Sequence, residues 1–194
     1  TATTELDKQF KKSFLNGDYT KGFNLIIYNV AKQFVHRTIS YDLDLLQEEN
    51  SIEIINLEEM LSADLFIPSI NKTIKIYGLA DRIERFNGML RIIDYKTGAV
   101  PSSNLAITDW ERLITDKDKS QAFQVLIYAW LYMQNHPIEN LQAGILSMRT
   151  MSNGFMPVRE SRGFGDVITK EVVDEFETYL VRLVEEIFNL EEAF

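Results

Sequence analysis

The dipeptide Asn87-Gly88 separates two runs, 73–86 and 89–96, that read as β-strands. A two-residue Asn-Gly connection forms a type I′ turn, because both residues accept positive φ and the turn's twist matches that of the strands it joins. Such a turn fixes the register of the hairpin as well as its existence. Phe86 falls opposite Met89, Arg85 opposite Leu90, Glu84 opposite Arg91, Ile83 opposite Ile92 and Asp81 opposite Asp94. Lys96 lies two residues beyond Asp94 on the same face. One face then carries Leu79, Asp81, Ile83 and Arg85 against Lys96, Asp94, Ile92 and Leu90. The other carries Ala80, Arg82, Glu84 and Phe86 against Tyr95, Ile93, Arg91 and Met89.

Glu84 and Arg91 make an ordinary cross-strand ion pair in this register, worth a few tenths of a kcal/mol. Asp81 and Asp94 do not. Two carboxylates directly opposed, with Cβ atoms about 5 Å apart, repel each other. Ile83 and Ile92 beside them imply partial burial, which raises the cost of the charge. The repulsion requires an offset: a shared proton, a cation such as Lys96, or a divalent metal. The plainest alternative is a solvated hairpin in which Lys96 neutralises one of the two acids.

Around this hairpin the 194 residues suit one domain. Residues 1–15 read as a short amphipathic helix, broken at Asn16-Gly17-Asp18. Residues 20–38 form a second helix, with Phe23, Ile26, Ile27, Val30, Ala31 and Phe34 at helical spacing, and 40–49 extend it or turn separately. Strands are expected at 51–56 and 59–67, the second ended by Pro68. Residues 101–118 are loop or short helix. Residues 119–135 form an apolar helix stopped by Asn135-His136-Pro137. A further hairpin spans 141–150 and 154–159, turning at Ser152-Asn153-Gly154, and a last helix spans 169–190 with Thr169 as N-cap and Glu171 favouring the first-turn dipole. The class is α+β or α/β: a small mixed central sheet flanked by helices, with N-terminal helices over 1–49 and the sheet core over 50–160.

Composition narrows the chemistry. There is no cysteine, so disulfides, thiolate metal sites and thiol nucleophiles are excluded, and a reducing cytoplasmic setting fits. With only His36 and His136, a multi-histidine metal site is nearly excluded, and any metal is held mainly by oxygen, as Mg²⁺ and Mn²⁺ are. The net charge of −9 argues against a polyanionic partner until it is located: residues 171–194 carry −7, whereas 71–96 carry +3. No apolar run approaches the length of a membrane span, and no signal peptide is expected. The sequence starts at Thr1, and a piece of a longer protein is expected.

The segments Gly78-Leu-Ala-Asp-Arg-Ile-Glu84, Ile92-Ile-Asp-Tyr-Lys-Thr-Gly98 and Gln124-Val-Leu-Ile-Tyr128, in this order, resemble the PD-(D/E)XK nuclease superfamily, and within it the RecB/AddB-like nuclease domains of bacterial helicase–nucleases. The resemblance covers roughly residues 50–150. It implies a restriction-endonuclease-like core, Mg²⁺ or Mn²⁺ as cofactor, DNA as partner together with a helicase domain or subunit, and exonuclease-type phosphodiester hydrolysis at DNA ends in recombination or repair. By position it implies that Asp81 and Asp94 are metal ligands with the Tyr95 carbonyl, that Lys96 is the catalytic lysine, and that Gln124 and Tyr128 belong to the helix bordering the site. Gln121, one turn earlier, shares their face. Asp81 follows Ala80 where the superfamily name has proline. RecB-like domains also carry an upstream Gly-x-x-x-His metal motif; none occurs here, and His36 in Phe34-Val-His-Arg37 lacks the glycine. The motif is therefore expected before Thr1; without it the site is weakened or retired to a non-catalytic DNA-binding or docking role.

Lys117, Lys119 and Arg149 are the candidate contacts to DNA phosphates, and Gln121 is a further candidate DNA contact. Arg82 is expected to form salt bridges. Glu58 and Glu59 are expected to be solvated rather than ligands. Trp110, Trp130 and Tyr132 are expected in the core.

Overall fold

The computed structural model describes residues 2–13, 18–138, 140–160, 163 and 165–189. Two helices, α1 (Ala2–Ser13) and α2 (Gly22–Gln47), lead into β1 (Ile52–Ile67) and β2 (Lys72–Phe86), which pair antiparallel over nearly their whole length. β3 (Met89–Lys96) completes the Asn87-Gly88 hairpin. After the two-residue strand β4 (Ala106–Ile107), α3 (Trp110–Thr115) and α4 (Ser120–Asn135) cross to β5 (Asn140–Ser147), which lies parallel to β3. β6 (Phe155–Pro157), β7 (Arg159–Glu160) and β8 (Ile168–Thr169) precede α5 (Lys170–Phe188). The main sheet runs β1-β2-β3-β5-β6, and β8 pairs with β5. This is the mixed sheet flanked by helices that the sequence implies. A parallel pair needs a crossover, and α4 supplies it.

α4 is the centre of the core. Ala122, Val125, Leu126, Ala129, Trp130 and Leu131 are buried between the sheet and α5, against Ile83, Ile92, Ala143, Ile145 and Phe176. Each fully buried aliphatic side chain contributes about 1.5–3 kcal/mol. Trp110 and Tyr132 are buried with them. Trp130 Nε1 donates to Glu177 Oε2 at 2.7 Å and so ties α4 to α5.

Several sequence expectations change. The strands at 51–56 and 59–67 are one strand of 16 residues, in which the register shifts between Ile54 and Asn56 and Glu58 takes φ 52°. Residues 40–47 extend α2. The second hairpin is not tight: Leu146 pairs with Phe155, and the connection contains a 3₁₀ turn at Met151–Asn153. Thr169 occupies the N-cap position of α5 without a side-chain capping bond. The break expected at Asn16-Gly17 and the helix end at 190 lie outside the described residues.

The largest difference concerns α2. None of its residues is fully buried, and Phe23, Ile26 and Val30 of its apolar stripe are exposed. The helix docks on the sheet through polar groups instead. Asp42 bonds Arg82 at 2.8 Å, and the Tyr41 hydroxyl accepts from the Phe155 amide at 3.1 Å. The sheet face beneath it carries charged side chains, so an apolar helix face has no complement there.

Candidate active site

The hairpin register is the one the turn dictates, from Phe86–Met89 to Arg82–Ile93. The ladder then stops, one step short of Asp81 and Asp94. Asp81 accepts a hydrogen bond from the Tyr95 amide at 2.6 Å, so its carboxylate takes up a main-chain donor where the strands part. Asp94, meanwhile, is in register with Ile145 of β5. The two acids are neighbours across an opening in the sheet rather than a directly opposed pair.

The opening has a local cause. Gly78 faces α4: a Cβ placed there would lie 2.7 Å from Tyr128 Cε1. Ile83, five residues on, is paired with Ile92 on the face that also carries Asp94 and Lys96 and is covered by α4. Strict alternation would put residues 78 and 83 on opposite faces, so the pleat is broken between them. The position opposite Asp81 on β1 belongs to Glu58, whose left-handed backbone interrupts that ladder too, between the pairs Leu57–Arg82 and Glu59–Ala80. The register shift itself lies nearby on β1, between Ile54 and Asn56, and bulges re-aim side chains beside functional sites. The single face expected for Leu79, Asp81 and Ile83 is therefore split, with Leu79 exposed and Ile83 fully buried.

Asp94 is 4% exposed. Lys96 Nζ lies 2.8 Å from its Oδ2 and donates to Gln124 Oε1 at 2.7 Å. Gln124 in turn donates through Nε2 to the Tyr128 hydroxyl at 2.8 Å. The i, i+4 spacing of Gln124 and Tyr128 stacks them on the face of α4 above the opening. Burial pushes the Asp94 carboxyl above its ordinary range; Lys96 works against that shift and Asp81 adds to it. Burial likewise raises the Tyr128 phenol, the bond from Gln124 opposes the rise, and Asp94 and Asp81 add to it.

Asp81 and Asp94 bring two carboxylates, hard oxygen donors, close to one another. Asp94 Oδ2 is buried, with the Lys96 ammonium 2.8 Å away. A buried carboxylate beside a second carboxylate fits a Mg²⁺- or Mn²⁺-like ion, which keeps several waters and needs few protein ligands. Among the described residues no cluster of three or more His, Cys, Asp or Glu could hold a metal. His36 is elsewhere, in a cleft of about 410 Å³ between α2 and the 151–154 turn, lined also by Arg37, Tyr41 and Asp44.

The expected DNA contacts divide. Lys117 and Arg149 are exposed. Arg149 follows Met148, whose amide bonds the Lys96 carbonyl at 2.8 Å just beyond the end of β5. Lys119 donates to the Ser103 and Ala106 carbonyls at 2.6 and 2.9 Å, and Gln121 accepts from Asn104 at 3.0 Å. These two hold the 102–106 loop against α4.

The reverse face of the hairpin is more charged than the sequence suggested. Arg82 and Glu84 are both buried and paired with each other, and Arg82 also reaches Asp42 and, at 3.2 Å, the Tyr95 hydroxyl. Glu84 is thus no ordinary cross-strand partner of Arg91, which stands 3.9 Å away. Burial lowers the Arg82 affinity for its proton, but the bonds to Asp42 and Tyr95 outweigh it, and the guanidinium stays firmly charged. Sequence reasoning missed Asp42, which lies on a helix with no periodic signal pointing to it. It also missed Ser147, fully buried, whose hydroxyl donates to the Gly98 carbonyl at 2.8 Å and steadies the loop after Lys96.

The family model of the PD-(D/E)XK nuclease superfamily matches residues 1–193. Among curated proteins none matches this chain. A solved structure described as the crystal structure of SSO0001 is similar over all of this chain and 88% of its own, at 14% identity and a TM-score of 0.39.

Proposed function

This chain belongs to the PD-(D/E)XK nuclease superfamily, and from that premise we propose that it is a RecB/AddB-like, Mg²⁺- or Mn²⁺-dependent deoxyribonuclease domain acting in the cytoplasm on DNA ends in recombination or repair. The observation that carries the reading is the convergence of Asp81, Asp94, Lys96, Gln124 and Tyr128, from two strands and one helix, on one opening in the sheet.

The roles follow from the contacts. Asp81, Asp94 and the Tyr95 carbonyl would hold the divalent ion. Such an ion supplies Lewis-acid polarisation of a phosphate and acidification of water. Lys96, held between Asp94 and Gln124, orients the attacking water and neutralises charge developing on the phosphate. Gln124 fixes the ammonium in place. Tyr128 accepts from Gln124, which leaves its own phenolic proton to donate towards substrate. Lys117 and Arg149 contact the DNA backbone as cations; Lys119 and Gln121 border that path while holding the adjoining loop. A helicase domain or subunit that delivers ends is the partner of this reading.

A second reading, a non-catalytic DNA-binding or docking module, draws on the absence of a third acidic or histidine ligand among the described residues. End-labelled linear duplex separates the two. The nuclease reading expects Mg²⁺-dependent release of label, little attack on a closed circle, and loss of about 10²–10³ in rate in Lys96→Met. DNA binding without cleavage, indifferent to Mg²⁺ and to Asp94→Asn, would refute it.

A further inference from the structure

We propose that Tyr95 and Arg82 are positioning residues that set the spacing of the two site carboxylates from the reverse side of the sheet. The inference rests on the nuclease reading for its purpose but on separate contacts for its geometry. Beyond the Arg82–Ile93 pair no main-chain ladder joins β2 to β3. Two side-chain bonds join them instead, and both end on Tyr95. Its amide is held by Asp81 at 2.6 Å, and its hydroxyl by Arg82 Nη1 at 3.2 Å.

Asp81 and Arg82 are consecutive on β2, and Asp94 and Tyr95 are consecutive on β3. The two bonds therefore close a ring through both backbones, one on each side of the sheet. The ring does what the missing rungs would have done. It keeps residue 81 against residue 95, and so fixes where Asp81 stands relative to Asp94 and to the Tyr95 carbonyl. Arg82 is itself immobilised, because it is buried, paired with Glu84 and bonded to Asp42 of α2. The anchor thus passes from α2 to Arg82, from Arg82 to Tyr95, and from Tyr95 to the carboxylates. Networks behind metal ligands act in this way, and their loss costs about 10–100-fold in affinity or activity.

Tyr95→Phe removes only the phenolic oxygen and leaves the ring and main chain. Arg82→Lys keeps the charge but loses the planar fork that reaches Asp42, Glu84 and Tyr95 together. Two quantities are read on the intact chain: proton exchange of the residue 95 amide by NMR, and the Mn²⁺ dissociation constant by calorimetry. Both variants are expected to exchange the residue 95 amide several-fold faster, with the Ile93 amide unchanged, and to bind Mn²⁺ about tenfold more weakly. The control Val184→Ala, in α5, lowers stability without touching the ring and is expected to keep parental Mn²⁺ affinity. An unchanged residue 95 amide overturns the proposal. So does a loosened amide with unchanged Mn²⁺ affinity, or an equal loss of affinity in Val184→Ala. If the parent chain binds no Mn²⁺ while the amide still loosens, the ring stands and the nuclease reading falls.

Discussion

Gly78→Ala probes the packing of α4 over the site with a single methyl group. The backbone at Gly78 does not need a left-handed conformation, so alanine is allowed there and the effect is purely one of space. The new Cβ would stand 2.7 Å from Tyr128 Cε1 and 3.1 Å from Cδ1, with Leu131 Cδ1 at 3.4 Å. An unstrained carbon–carbon contact is about 3.5 Å or more, so the phenol ring edge must retreat by roughly 0.8 Å. Tyr128 is buried and its hydroxyl is tied to Gln124, so the ring has little room to yield. Overpacking of this kind costs about 1–3 kcal/mol, and the smaller entropy of an unfolded alanine returns about 0.4–1 kcal/mol. The net expectation is a loss of about 1–2 kcal/mol, seen as a fall of about 2–8 °C in Tm for a chain of this size. Thermal unfolding followed by circular dichroism measures it. In a Tyr128→Ala background the same substitution should be neutral or stabilising, a coupling within the roughly 0.5–3 kcal/mol range of touching residues. A Gly78→Ala chain as stable as the parent, or a double variant with no coupling, would refute the idea that α4 is packed to contact against β2 at this point.

Two further outcomes are expected. Burial raises the Glu84 carboxyl above its ordinary value of 4.5, with Arg82 only partly opposing it. The folded chain therefore holds that proton more tightly than the unfolded chain, and Glu84's contribution is most favourable below pH 4.5 and is lost as pH rises through the raised value; the Tm of Glu84→Gln minus that of the parent should accordingly increase from acid towards neutrality, and an increase in the other direction would contradict the assignment. Trp130→Phe removes the 2.7 Å bond to Glu177 while keeping an aromatic ring in the core, so urea unfolding should show a loss of about 1.5–3 kcal/mol, the value of a hydrogen bond to a charged group; a loss below about 0.5 kcal/mol would mean that the indole bond adds nothing to the joint between α4 and α5.

The parts of the fold that could be read from sequence are those governed by local rules. Asn87-Gly88 dictates a turn type, the turn type dictates a register, and the structure keeps that register as far as Arg82–Ile93. The apolar face of α5 is buried as its periodicity implies through Val172, Val173, Phe176, Leu180 and Val184, but Ile187, at the same spacing, is exposed. What could not be read depends on partners distant in the chain. Nothing near Asp81 announces that Glu58 takes a left-handed conformation opposite it on β1, or that its own carboxylate takes the Tyr95 amide where the β2–β3 ladder ends. Nor does Asp42 announce itself: its meaning comes from Arg82, 40 residues later. The apolar residues of α2 misled for the same reason, since periodicity says which residues share a face but not whether the surface beneath is greasy or charged.

The interruption at Glu58 has a second consequence, for the company the protein keeps in concentrated solution. β1 pairs with β2 alone among the described strands, so its other side is a long border of main-chain donors and acceptors, flanked by exposed Leu57, Met60 and Phe66. Such a border is a template on which a foreign strand can add itself, the first step of amyloid-like assembly. The shift at Ile54/Asn56 and the left-handed turn of the chain at Glu58 disrupt its regular spacing, and Glu53, Glu58 and Glu59 set negative charge along it. The left-handed residue that stands opposite Asp81 thus also makes the far side of β1 a poor surface on which to nucleate a fibre.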